Sequence, residues 1–289
     1  MCQFISFFHN PATGKIKVHD LTSHHKTSEA LGLNLDKWRE GHYLKGGTIE
    51  CRVTDTDKYD RAYCDDRLRR KHPTFKDFLV WCLRQVGDYY LGSLDLSGCD
   101  LKGVKLPEKV GSWLDLSGCD LKGVKLPEKV GSWLDLKGCD LKGVKIPEVG
   151  GSLYLCDCDL KGVNIPEVGG SLDLSDCDLK DVKIPDVNGS LYLGGCDLKG
   201  VKIPDVGGSL ILSGCDLKGV KIPDVSGTLD LSYCNLKGVK IPDVGGALYL
   251  CDCDLKGVKI PDVGGALYLC DCDLKGVNIP EHLKNKVIT

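Results

Sequence analysis

The residues of this sequence best able to do chemistry are its cysteines. The 289-residue chain has 17 of them, a number that indicates either a disulfide framework or metal sites in many proteins. Ten recur at one position of a repeated block, at steps of 20, 20 and then 19 residues: Cys99, Cys119, Cys139, Cys158, Cys177, Cys196, Cys215, Cys234, Cys253 and Cys272. A cysteine in every block predicts a small buried apolar side chain rather than a reactive one.

Two further cysteines, Cys251 and Cys270, lie two residues before repeat cysteines in consecutive blocks. If the blocks stack about 4.8 Å apart, this spacing is compatible with a disulfide. A reducing compartment would keep both thiols free. No histidine is in register with them, so we expect no metal ion and no cofactor.

A second chemical hypothesis concerns Cys2, His24 and Glu50. Removal of Met1 would make Cys2 an N-terminal nucleophile whose α-amino group serves as the base. This arrangement resembles that of glutamine amidotransferases, although their glycine-rich surroundings are absent. Six of the seven histidines precede residue 92. A Cys/His transferase or hydrolase in this N-terminal part, with the repeats used for targeting, is therefore an alternative function.

The repeat determines the elements that must position these side chains. A fixed period of 19 to 20 residues is typical of stacked structural units. Within residues 172–190, apolar and polar positions alternate, which is typical of short strands with one buried face followed by corners. Each unit directs about six apolar side chains inward, and only stacking on its neighbours can bury them.

The segment Leu94–Gly103 reads Leu-Asp-Leu-Ser-Gly-Cys-Asp-Leu-Lys-Gly and resembles consecutive units of pentapeptide-repeat proteins, a resemblance that extends over residues 94–280. It implies a mainly β fold, a right-handed parallel β-solenoid of about ten coils with four sides. Proline and Gly-Gly on the third and fourth sides depart from the usual pattern of that family. The string Leu-x-Leu-x-x-Cys-x-Leu also resembles a leucine-rich repeat, so a short leucine-rich-repeat horseshoe is the alternative fold.

The first 91 residues predict a small α+β domain that caps the solenoid. Residues 2–9 and 14–20 alternate as a hairpin does, and Thr48–Val53 predicts another strand. Apolar periodicity predicts three helices, around 28–39, 56–70 and 74–86. We therefore expect three parts: the domain 1–91, the solenoid 92–281 and a polar C-terminal tail 282–289.

Charge and hydropathy limit the classes of partner. The net charge is −3, slightly basic before residue 92 and slightly acidic after it, without the basic excess of a nucleic-acid-binding surface. There is no apolar run long enough to cross a membrane and no basic, apolar leader at the N-terminus. We expect a cytoplasmic protein that binds neither nucleic acid nor membrane. The oligomeric state stays open.

Positions that vary between otherwise similar blocks are candidates for binding. The residue four before the repeat cysteine is aspartate in five blocks and tyrosine or isoleucine in the others. Exposed tyrosine is typical of protein interfaces, so we predict that this side binds a protein partner. The predicted contact residues are Tyr154, Tyr192, Ile211, Tyr233, Tyr249 and Tyr268.

Another side carries columns of lysine, such as Lys102 and its equivalents, interleaved with a column of aspartate. We expect this side to be a solvated surface that keeps the protein soluble. Inhibition by DNA mimicry, one use of pentapeptide-repeat proteins, is a further alternative, but it needs a continuous acidic face that the lysines interrupt. The N-terminal part followed by leucine-rich repeats resembles uncharacterised proteins of phages and gut bacteria. That resemblance implies a host or defence protein as the target, in the host cytoplasm.

Overall fold

A computed structural model describes residues 94–289 in full and, before them, only the backbone of five strands. The described residues after position 93 form a mainly β parallel solenoid of about ten coils of about 19 residues each, as predicted. No helical segment accompanies the repeat between residues 94 and 280, so the leucine-rich-repeat horseshoe has no support there. The chain divides into two compact units, Met1–Gly131 and Ser132–Thr289.

The first unit begins with a four-stranded antiparallel sheet in the order β2-β1-β3-β4. Strands β1 (Phe4–His9) and β2 (Ile16–His19) form the predicted hairpin. The predicted strand near residue 48 is β4 (Thr48–Arg52), whereas β3 (Arg39–Leu44) was not expected. Arg39, the last residue of the predicted helix 28–39, begins β3; residues 28–38 and the predicted helices 56–70 and 74–86 lie outside the described residues.

The coils are built from strands of only two residues, each of which pairs in parallel with the equivalent strand of an adjacent coil. In the first unit β5 pairs with β7 and β7 with β9, while β6 pairs with β8. These strands are β5 (Tyr89–Tyr90), β6 (Leu94–Asp95), β7 (Lys109–Val110), β8 (Leu114–Asp115) and β9 (Lys129–Val130).

The second unit contains one ladder of eight coils and a closing strand, each step in parallel register. A short strand, β11, lies on another side of the coil. The elements are β10 (Leu134–Asp135), β11 (Glu148–Val149), β12 (Leu153–Tyr154), β13 (Leu172–Asp173), β14 (Leu191–Tyr192), β15 (Leu210–Ile211), β16 (Leu229–Asp230), β17 (Leu248–Tyr249), β18 (Leu267–Tyr268), a 3-10 helix (Glu281–Lys286) and β19 (Val287–Ile288).

Each coil before the last buries about six apolar side chains, the number expected from the alternation, whereas Cys272, Leu274 and Ile279 of the last coil are half-buried. In the coil that begins at β13 they are Leu172, Leu174, Cys177, Leu179, Ile184 and Val187, none more than 6% exposed. Burial of each side chain of this size stabilises the fold by about 1.5–3 kcal/mol before conformational entropy is subtracted. Because no coil can cover these groups alone, stability depends on the stack.

At the Gly-Gly corner, which departs from the usual pentapeptide pattern, the backbones of adjacent coils lie close together. A Cβ atom on Gly264 would overlap the carbonyl group of Gly245 in the preceding coil. The same residue donates its backbone N–H to the carbonyl oxygen of Val244, 2.8 Å away. Asn188 and Ser226 occupy the equivalent position in two other coils, so a side chain is tolerated there. The next residue, Gly265, is glycine in every 19-residue block, and a Cβ atom on it would lie 2.9 Å from the carbonyl carbon and oxygen of Gly246.

The last coil is closed by the segment that the sequence predicts as a polar tail. Strand β19 extends the parallel ladder, with Val287 opposite Leu267, and Leu283 of the 3-10 helix is fully buried. The ammonium group of Lys286 donates to the carbonyl oxygens of Val263 and Gly264, at 2.7 and 3.1 Å. In earlier coils the carbonyl oxygen of the equivalent valine instead accepts a hydrogen bond from a glycine N–H of the next coil. The closing segment therefore satisfies groups that a further coil would otherwise satisfy.

None of the helices among the described residues is long and apolar enough to span a membrane.

Candidate interaction surface

The outward residues of the second unit's ladder form one column, which together with the adjacent Tyr233 we name the tyrosine face. Each residue of the column lies directly opposite its equivalent in the next coil. The column consists of Asp135, Tyr154, Asp173, Tyr192, Ile211, Asp230, Tyr249, Tyr268 and Ile288. The five predicted contact residues of the ladder are thus brought together on one side.

The aspartates of this column close the turn that follows each strand. Asp173 accepts a hydrogen bond from the backbone N–H of Ser175 at 3.0 Å, and Asp230 accepts one from Ser232 at 2.9 Å. In the first unit, Asp95 accepts from both the N–H and the hydroxyl of Ser97. This short-range bond is the usual turn-forming role of aspartate. The aspartates therefore have a structural role. The tyrosines occupy the equivalent position in coils where no aspartate closes the turn.

Aromatic contacts order the tyrosines. The rings of Tyr249 and Tyr268 stack with their centroids 4.1 Å apart and their planes within 4°. Near the other end of the column, Tyr154 packs edge-on against Trp133, with centroids 6.1 Å apart. A hydrogen bond to Tyr268 and partial burial raise the pKa of Tyr249, so its phenol is neutral at physiological pH. These contacts present rings already fixed in position.

Tyr233 lies in the turn after β16 rather than in the ladder, and its backbone has a left-handed φ of +62°. That conformation is unfavourable for a bulky L-residue. The side chain is nevertheless 68% exposed. The carboxylate of Asp252, in the next coil, attracts the phenol proton and accepts a hydrogen bond from it, which raises the pKa of Tyr233. A strained backbone that displays an exposed ring is a feature often associated with function.

The tyrosine face also contains a residue that the sequence analysis missed. Ile288 continues the column one position beyond Tyr268 and is 43% exposed. It lies outside the repeat pattern, so comparison of the blocks could not identify it. Trp133 was missed as well, although its signal was available, because tryptophan precedes the strand in the early 20-residue blocks.

The side with the lysine and aspartate columns is organised differently from the expected charge compensation. Each aspartate accepts a hydrogen bond from the backbone N–H of the lysine two residues later; for Asp178 and Lys180 the distance is 3.0 Å. Asn235, which replaces aspartate in one coil, accepts the same bond from Lys237 at 3.1 Å. The acidic column thus closes turns, and the lysine side chains are exposed to solvent.

A shallow groove of about 1000 Å³ lies on the Ile-Pro side of three coils, around Ile165, Ile184 and Ile203. Four lysines and four acidic residues border it. This balance gives the groove no preference for an anionic or a cationic ligand. The groove therefore does not indicate a particular partner.

The repeat cysteines are inert core residues. Cys196 is 3% exposed, and its thiol donates a hydrogen bond to the carbonyl oxygen of Leu174 at 3.1 Å. Burial raises the pKa of Cys196 to about 11, so the thiolate needed for redox or metal chemistry does not form near neutral pH. No group of three or more His, Cys, Asp or Glu side chains that could hold a metal ion occurs in the described part of the chain.

Two of the three catalytic candidates cannot be placed relative to the third. Cys2 and His24 lie outside the described residues, and Glu50 lies in β4, opposite His42 of β3 in the backbone register. The hypothesis of a Cys/His enzyme therefore stays a prediction.

Comparison with known proteins gives one family match. A family model described as pentapeptide repeats matches the chain in eight copies, with residues 95–128 matched. These residues include the turn-closing Asp95 and Asp115 and the first buried repeat cysteines. No curated protein and no solved structure matches the chain.

Proposed function

We propose that this pentapeptide-repeat β-solenoid protein is a non-enzymatic interaction protein that binds a protein partner along its tyrosine face. One observation carries the proposal. Three large apolar side chains are strongly exposed among residues 94–289: Tyr192 at 37% and Ile288 at 43% in the ladder column, and Tyr233 at 68% in the turn that follows the column residue Asp230. Exposed apolar groups gathered on one side of a protein are typical of interaction sites.

The chemistry of the face supports a protein rather than a small ligand. Tyrosine offers a large apolar ring with a polar tip and is enriched in the buried centres of protein interfaces. The stacked pair Tyr249 and Tyr268 and the packed Tyr154 lose little side-chain freedom on binding, because they are already in contact. A column of side chains in parallel register also suits an extended contact rather than a pocket.

The geometry of Tyr233 supports the same conclusion. Nine of the ten blocks have glycine or aspartate at this turn position, and both residue types tolerate a left-handed backbone. A tyrosine there weakens the fold locally and gains no burial, which is consistent with selection for a contact outside the chain.

The proposal is tested by affinity capture with the full chain and with a triple variant, Tyr192→Ser, Tyr249→Ser and Tyr268→Ser. A matched control changes three exposed lysines of another side, Lys180→Ser, Lys199→Ser and Lys218→Ser. We expect a partner that the wild type and the lysine variant retain and the tyrosine variant loses. Cooperative unfolding of each variant verifies that the fold is intact. A partner retained equally by all three proteins would exclude the tyrosine face as its binding site.

Host and defence proteins are the first partners to test, because the arrangement of the N-terminal part and the repeats resembles that of phage proteins. The capture experiment should therefore use bacterial lysates and compare them with lysates from other sources.

A further inference from the structure

Cys251 and Cys270 occupy the same turn position in two consecutive coils, two residues after the stacked Tyr249 and Tyr268. Strands β17 and β18 pair in parallel with these tyrosines opposite each other. The backbone ladder continues past the cysteines, because the N–H of Asp252 donates to the carbonyl oxygen of Cys270 at 3.0 Å. Both cysteines are partly exposed and unbonded.

The two thiols are close enough to react with each other. Interaction with the Cys251 thiol raises the pKa of the Cys270 thiol. The rings two residues earlier, on the same two coils, are 4.1 Å apart, so side chains in this part of the ladder make direct contact. Paired strands bring equivalent Cα atoms to about 4.8 Å, within the range that a disulfide spans.

The neighbouring repeat cysteines are held by hydrogen bonds to the backbone. The thiol of the half-buried Cys272 donates to the carbonyl oxygen of Leu250 at 3.0 Å. Cys253 is only 4% exposed and donates its thiol to the carbonyl oxygen of Leu231 at 3.1 Å. Burial raises the pKa of Cys253 to about 11. Accessibility therefore favours the outer pair.

We propose that Cys251 and Cys270 are a redox modification site that forms a reversible disulfide by exchange with a small disulfide such as oxidised glutathione. The thiolate of one cysteine attacks a glutathione sulfur, the S–S bond breaks, and one glutathione thiolate leaves and takes up a proton. The second cysteine loses its proton and attacks the protein sulfur of the mixed disulfide, which releases the second glutathione. Two protein thiols are oxidised and one glutathione disulfide is reduced to two thiols.

The bond would link two coils otherwise held by backbone hydrogen bonds and packing. It would lie beside the Tyr249–Tyr268 stack and restrain opening of the coils that carry it. The inference does not depend on the proposed protein binding, because it concerns only groups within this chain.

The test incubates the full-length protein in glutathione buffers of increasing oxidised fraction, quenches with acid, blocks free thiols and digests with trypsin. Peptides 241–256 and 260–275 have the same sequence, with two cysteines each, so the monomer is first isolated by gel filtration without reductant and the linked peptides are fragmented. We expect two copies of this peptide linked within one monomer, lighter by two hydrogen atoms than their sum, joined through the first cysteine of each copy and separated by excess reduced glutathione. Cys251→Ser and Cys270→Ser should each abolish the pair and leave glutathione on the remaining cysteine. Cys156→Ser is the matched control, because it changes the same turn position where the adjacent coils carry Lys137 and Ser175.

Two results would overturn the proposal. Persistence of the linked pair in Cys251→Ser would show that core cysteines form the bond. Separate glutathione adducts on the two peptides, without any linked pair at any buffer ratio, would show that the thiols cannot join. Thermal unfolding of each variant verifies folding, and fragmentation of the linked wild-type peptides distinguishes the outer from the core cysteines even if a variant unfolds.

Discussion

Replacement of Tyr233 by glycine is expected to stabilise the protein, although it removes a large side chain. The reason is the left-handed backbone of Tyr233, with φ +62°. In general an L-residue in this conformation costs about 1–2 kcal/mol, while glycine costs about 0.5–1 kcal/mol through the greater freedom of the unfolded chain. The difference favours glycine and corresponds to an increase of about threefold in the folded-to-unfolded ratio.

Two companion variants separate backbone strain from other effects. Tyr233→Asn should also stabilise, because asparagine tolerates the left-handed region without the entropic cost of glycine. Tyr192→Gly removes another exposed tyrosine, but from the extended strand β14, and should destabilise the protein, because glycine weakens a strand. The opposite signs of the Tyr233 and Tyr192 variants are the critical expectation.

Urea denaturation, followed by circular dichroism, measures these differences as shifts of the midpoint at constant slope. A lower midpoint for both Tyr233→Gly and Tyr233→Asn would refute the strain argument. It would show instead that the contact between the Tyr233 ring and Asp252 holds the turn.

Three further predictions concern the coils themselves. Gly265→Ala should destabilise by more than about 2 kcal/mol, because its Cβ would lie 2.9 Å from a backbone carbonyl group. Gly257→Ala, with open space but φ +77°, should cost about 1 kcal/mol. Urea denaturation of both variants compares steric overlap with strain. Burial raises the pKa of Cys196 from 9.0 to about 11, so the contribution of this thiol to the free energy of unfolding should be complete below about pH 9 and decrease as the pH rises towards 11. Cys196→Ala should lessen this decrease when unfolding is measured across the range, and an unchanged pH dependence would contradict the prediction. Asp173→Ala should lower the free energy of unfolding by about 1 kcal/mol, because the hydrogen bond from the Ser175 N–H is lost. Asp173→Asn should stay near the wild type in thermal unfolding. Equal losses of stability in the two variants would show that charge rather than turn closure matters.

The repeat was predictable from sequence because its determinants are local. Alternation and a constant period specify which six side chains of a coil point inward, and the coil that contains Leu172 and Cys177 has them in the expected places. The unexpected strand β3 contains Gly41 and His42 and lacks that alternation. Pattern alone could not identify it, since its pairing with β1 and β4 is a long-range property.

The candidate site was predicted only in part. Comparison of the blocks identified the ladder tyrosines, because variation at one repeat position is visible in a single sequence. It did not distinguish Tyr233 from them, although the glycine or aspartate in every other block at that position indicated a left-handed turn. The aspartates of both columns were interpreted through their charge, whereas their hydrogen bonds to backbone N–H groups two residues later explain them better.

The closing segment bears on how such a chain changes its length. Lys286 and β19 bind Val263, Gly264 and Leu267, and the equivalent valine and leucine recur in every 19-residue block. Tandem duplication or loss of one whole block would therefore leave the same acceptors for the segment and keep the ladder in register. A gene of this kind can lengthen or shorten its row of tyrosine positions in single recombination events, and so acquire new partners without redesign of the fold.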